Sequence, residues 1–157
     1  MLYYYADLRG AWRNNSEKEF HMSGIDDNKR LVETLCKTVF QNHDFSKLDK
    51  IMRDDYIQHN PDTPQGKAGF KRFFEDIFRA LPDFSYTMKK IVAEGDIVMM
   101  YSTTTATHEH EWLGNPATGN KLNFDVVDIF RIEDGRIAEH WDVADTLTLF
   151  TQVGKVK

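Results

Sequence analysis

The chain has 157 residues, of which 41% are hydrophobic and 13% aromatic, and a formal net charge of -5. This suits one globular domain with a single core rather than a disordered chain. The acidic balance argues against nucleic acid or an anionic membrane as main partner, since both demand a basic face, and no apolar run approaches the roughly 18 residues of a membrane-spanning helix.

Residues 1–21 open with Leu2-Tyr3-Tyr4-Tyr5 and continue as a polar stretch without a period. Met22-Ser23-Gly24 looks like a natural start, so 1–21 reads as a non-essential extension and 22–157 as the domain; a docking arm using Tyr3, Tyr4 and Trp12 is the alternative. A chain starting at Met22 is expected to keep its fold. Thermal melting checks this, and a midpoint lower by more than about 5 °C would favour the docking arm.

Asp26 or Asp27 is expected to cap a helix running to about Asn42, with Leu31, Val32, Leu35, Cys36, Val39 and Phe40 on its apolar face. Cys36, the only cysteine, reads as core and points to a reducing, cytoplasmic compartment. A short helix over Lys47–Arg53 follows, then a strand over Asp55–Pro61 and a turn-rich loop to Lys67. Phe70, Phe73, Phe74, Ile77, Phe78 and Leu81 line the stripe of a third helix that Pro82 ends. Four long strands come next, Phe84–Glu94, Ile97–His108, Lys121–Ile132 and Arg136–Val143, before a short helical tail. This segregation of helices and strands predicts an α+β fold, with helices on one face of a strongly curved antiparallel sheet.

The last two strands carry the chemistry. Gly135 supplies the turn between Val126–Glu133 and Arg136–Val143, making a hairpin. Alternation puts Asp128, Phe130 and Ile132 on one face of the first strand. On the second it groups His140, Asp142 and Ala144 against Ile137, Glu139, Trp141 and Val143. Two carboxylates and an imidazole on paired strands make an acid–base site if they share a cavity. His108-Glu109-His110-Glu111 offers two histidines on one strand face, but spacing supplies no third ligand, so no metal is expected. There is no glycine-rich phosphate loop, so no nucleotide cofactor is expected either.

Tyr56-Ile57-Gln58-His59-Asn60-Pro61, Ala93-Glu94-Gly95-Asp96, Val127-Asp128-Ile129-Phe130-Arg131 and Glu139-His140-Trp141-Asp142-Val143 resemble the SnoaL-like branch of the nuclear-transport-factor-2-like superfamily. The resemblance spans about Asp27 to Gly154. It implies a cone: a curved sheet wrapped around helices, with a deep pocket at the open end. It also implies a homodimer formed through the outer sheet face, where alternation is expected to place Trp141 together with Ile137 and Val143.

The superfamily holds polyketide cyclases, ketosteroid isomerases, dehydratases, epoxide hydrolases and non-catalytic binding modules, so function must be argued from the site. By resemblance Asp142 stands where SnoaL-type cyclases place their acid–base aspartate. Asp128 resembles the oxyanion-binding aspartate of ketosteroid isomerases, an acid kept neutral in an apolar site. His59 and Asn60 occupy the general-base region of the isomerases, and since neither is a carboxylate, His59 is the candidate base there. The expected walls are Tyr56, Phe74, Phe78, Trp112 and Phe130, around a small hydrophobic carbonyl compound with no cofactor.

Structural alternatives stand beside these roles. Asp128 can pair with Arg131 or Lys121, His140 can be a core histidine bonded to backbone, Asp142 can cap the C-terminal turn, and His59 can make a structural hydrogen bond. A hydrolase or dehydratase using the same residues, and a ligand-binding module without turnover, are the alternative functions.

Overall fold

The computed structural model describes residues 24–156; the extension expected over residues 1–21 lies outside the described residues. Helix α1 is already formed at residue 24 and runs to residue 35, then widens into a π-helical stretch at Cys36–Gln41. Asp26 and Asp27 therefore lie inside the helix rather than capping it, and they pair with Lys29 and Arg30 one turn on. The apolar face is as expected, with Val32, Leu35, Cys36, Val39 and Phe40 buried.

Helix α2 is shorter than its pattern suggested, Leu48–Ile51, because the chain becomes extended at Met52 and strand β1 begins there, Met52–Gln58. Helix α3 covers Gly66–Ala80. Strands β2 (Ser85–Glu94), β3 (Ile97–Thr107), β4 (Lys121–Glu133) and β5 (Arg136–Ala144) follow, and α4 (Thr146–Gln152) closes the fold. Asp145, not Asp142, caps α4, accepting from the Thr148 backbone N–H.

The five strands form one curved, unclosed sheet in the order β1-β5-β4-β3-β2. Neighbours among β2 to β5 are antiparallel, whereas β1 lies parallel to β5 at the edge. Val32, Leu35, Phe40, Phe70, Met100 and Phe130 fill the space between the helices and the inner sheet face. At the β4–β5 turn both Asp134 and Gly135 adopt positive φ, 51° and 68°, as a two-residue hairpin turn demands.

A bulge near the start of β5 changes the reading of that strand. Arg131 pairs with Glu139 but Ile132 pairs with Ile137, so Ala138 is the extra residue. Ile137 is thereby turned inward and fully buried, not grouped with Glu139, Trp141 and Val143 as strict alternation required. Among the described residues no helix is long and apolar enough to cross a membrane.

Candidate functional site

A cavity of about 400 Å³ opens between the inner sheet face and the helices, within the size range of small-molecule sites. Its walls include Phe40, Phe74, Phe84, Trp112, Phe124 and Phe150. Gln58, Asn60, Tyr86, Asp128, His140 and Asp142 supply polar groups. The lining has carboxylates at Asp62, Asp128 and Asp142, and no Lys or Arg among the described residues.

The β4–β5 register sets Asp128 directly opposite Asp142 and Phe130 opposite His140. Side chains so paired have Cβ atoms about 4.5–5.5 Å apart. The structure thus brings Asp128, His140 and Asp142 to one wall. Asp128 and His140 are buried and Asp142 half-buried. His140 Nε2 lies 2.9 Å from Asp128 Oδ1, and the Tyr86 hydroxyl donates to Asp128 Oδ2. Asp128 therefore pairs with neither Arg131, which bonds Glu139 and Glu133, nor Lys121, which bonds Asp83. His140 is held by side chains on both ring nitrogens rather than by backbone, because Gln58 Nε2 lies 3.1 Å from its Nδ1.

Asn60 Nδ2 donates to both oxygens of Asp142, at 2.8 and 2.9 Å. The Asp62 backbone N–H donates to Asn60 Oδ1 at 2.8 Å, which fixes the orientation of that amide. Burial pushes the Asp142 carboxyl above the usual aspartate range, and the negative charges of Asp128 and Asp62 add to this. The hydrogen bonds from Asn60 act in the opposite direction without cancelling the rise. The phenols of Tyr86 and Tyr56 are also pushed up, first by burial and then by the nearby carboxylates, so both stay protonated at neutral pH.

His59 is not in this group. Its ring stacks on Trp141, centroids 4.2 Å apart at 3°, and its Nε2 lies 2.7 Å from Glu139 Oε2. Along β1 Tyr56 and Gln58 point inward, so His59 points outward. Three expected wall residues also sit behind the surface. Tyr56 is buried against Phe70 and its hydroxyl accepts from Gln58. Phe78 stacks on His43 at 3.8 Å. Phe130 is the platform under His140, with rings 4.6 Å apart at 11°. Asn60, Phe74 and Trp112 do line the cavity. Trp112 comes from the loop after β3, at a turn where Leu113 and Gly114 have φ of 52° and 72°.

His108 and His110 do not share a face. β3 ends at Thr107, His108 is buried with Nδ1 3.0 Å from Thr118 Oγ1, and His110 is exposed. Among the described residues no three His, Cys, Asp or Glu side chains cluster as a metal site would require.

The SnoaL-like polyketide cyclase profile matches residues 30–153, which is most of the chain. The chain belongs to the SnoaL-like polyketide cyclase family. Solved structures agree with the SnoaL-like assignment. TsrD from Streptomyces laurentii is 30% identical over 83% of this chain and 97% of its own, with a TM-score of 0.75. AclR from Streptomyces galilaeus, assigned as a hydroxylase, is 29% identical over 85% and 88%, TM-score 0.76. IdmH from Streptomyces antibioticus, assigned as a polyketide cyclase, is 27% identical over 81% and 98%, TM-score 0.71. No curated protein sequence matches the chain.

Two residues of this SnoaL-like site were missed in the sequence. Tyr86 comes from β2, three strands from β5, and nothing local marks it as a partner of Asp128. Gln58 was legible: strict alternation from buried Tyr56 puts Gln58 and Asn60, not His59, on the inner face.

Proposed function

We propose that this SnoaL-like protein catalyses cofactor-free acid–base chemistry on a small, uncharged hydrophobic carbonyl compound, giving an aldol-type, cyclised or isomerised product. The observation that carries the reading is Asp142: a half-buried carboxylate with a raised pKa, oriented by Asn60 at the wall of an apolar cavity. Asp142 is the base that removes an acidic α-proton. The Tyr86 hydroxyl, which donates to Asp128 in the free protein, is the proposed donor to the enolate oxygen, turning from Asp128 to the substrate at the same wall. Three carboxylates and no Lys or Arg among the described lining residues favour an uncharged substrate over a carboxylic acid or phosphate. The location is expected to be cytoplasmic, from the use of a single cysteine.

The test is α-proton exchange, followed by NMR in deuterated buffer with neutral aryl β-dicarbonyl compounds. Deprotonation needs ionised Asp142, so the rate should climb with pH. Because the carboxyl is raised, the climb should be centred above the ordinary aspartate value of about 3.9. Tight binding of such compounds without exchange would replace the enzyme by a ligand-binding module.

We also propose a homodimer through the outer sheet face. Val92, Met99, Ile129 and Trp141 form a cross-strand row there, beside Tyr101, Val127 and Val143. Val92 is 59% and Val143 69% exposed. A contiguous apolar patch of this kind is costly to leave in water. Light scattering is expected to give twice the chain mass, and Met99→Glu to shift it towards monomer. A wild-type monomer at high micromolar concentration would remove the proposal.

A further inference from the structure

His140 sits in a frame that leaves its ring no freedom. Phe130 stacks on one face, and the His140 carbonyl accepts from the His59 backbone N–H at 2.9 Å, tying β5 to the end of β1. The frame's least conspicuous member is Gln58. Its backbone is clamped by Gln65, whose side chain accepts from the Gln58 N–H at 3.2 Å and donates to the Gln58 carbonyl. Its side-chain oxygen accepts from the Asn60 backbone N–H at 3.0 Å. A backbone N–H only donates, so that contact identifies Oε1 and leaves Nε2 facing Tyr56 Oη at 3.0 Å and His140 Nδ1 at 3.1 Å.

An amide NH₂ has no lone pair to offer. His140 Nδ1 must therefore be the acceptor, and the ring proton belongs on Nε2, which faces Asp128 Oδ1. With Nδ1 protonated, two donors would oppose each other in a buried space.

We propose that Gln58 is a positioning residue that locks His140 in the tautomer protonated on Nε2, so that His140 serves Asp128 and is not itself a base. Both nitrogens are then committed to protein partners, which leaves proton abstraction to Asp142. Asn60 links the two halves of the site: its backbone N–H orients Gln58, and its side chain orients Asp142. One short segment at the end of β1 thus orients both the base and the histidine that serves Asp128. The proposal rests on the acid–base reading only for its effect on turnover, and the tautomer is measured without any substrate.

The experiment uses the full chain, labelled with ¹⁵N, and long-range ¹H–¹⁵N correlation of the histidine rings at neutral pH. His140 is assigned by the signals lost in His140→Gln. Wild type should show one His140 form, with Nε2 protonated and Nδ1 bare. Gln58→Leu removes the donor and should give a mixture of tautomers. Gln58→Glu keeps the shape but offers an acceptor, and should put a proton on Nδ1. Thermal melting reports whether each variant folds. A protonated Nδ1 in wild type overturns the proposal, as does an unchanged Nε2–H form in either folded variant. Should both variants fail to fold, the wild-type spectrum alone decides. If the tautomer behaves as expected but no carbonyl compound exchanges its α-proton, the acid–base function fails and the role of Gln58 stands.

Discussion

Asp142→Asn is expected to abolish α-proton exchange while the protein still folds and binds ligand. The amide keeps the shape of the carboxylate and can still accept from Asn60, but it cannot take up a proton. General acid–base groups contribute about 10²–10⁴-fold in rate, and the loss should fall in that range. Asp128→Asn should cost much less. Its amide oxygen can accept from His140 Nε2, while its NH₂ can donate to the Tyr86 oxygen, so the Tyr86 hydroxyl becomes free to donate into the cavity. The ordering is the test: exchange rates on one substrate for both variants, with ligand binding and melting as controls. Equal losses would move the base away from Asp142, and full activity in both would put the chemistry elsewhere.

Phe130→Ala is expected to have the largest effect on stability. Phe130 is fully buried towards the end of β4, between the core and the His140 ring. Truncating such a phenylalanine costs about 3–5 kcal/mol, from lost transfer energy and the cavity left behind. For a domain of this size about 2–4 °C of melting temperature go with each kilocalorie, so the midpoint should fall by roughly 6–20 °C. The variant should also lose exchange activity, because His140 no longer has a platform to hold it against Asp128. Calorimetry with parallel exchange measurements checks both parts. A stable protein with low activity would mean that Phe130 matters only as the His140 platform.

The element order and the inner face of β4 were legible because they depend on near neighbours. Helical spacing in α1 and α3 and alternation through Asp128, Phe130 and Ile132 are local patterns, and local sterics decide them. The β4–β5 hairpin was legible for the same reason, since Gly135 fixes the turn, but the turn alone would set Asp128 opposite Trp141, and the bulge at Ala138 moves Asp142 into that place. The quoted segments also carried the SnoaL-like resemblance that the family profile supports.

His59 shows the limit of resemblance without alternation. Its position in the motif suggested a base, whereas the pleat of β1 turns it outward onto Trp141 and Glu139. Ile137 shows the limit of alternation itself. One extra residue at Ala138 reverses the faces before it, and a bulge has no reliable local signature.

By itself, then, the sequence determined the kinds of element, the hairpin that carries two aspartates on neighbouring strands, and the family. Only the tertiary structure decided the company those aspartates keep. Tyr86 reaches Asp128 across the sheet, and Gln58 reaches His140 through a parallel edge strand 82 positions away in the chain. Such contacts leave no period in the sequence, because they form only when helices and sheet close over a common core and every buried donor must find an acceptor.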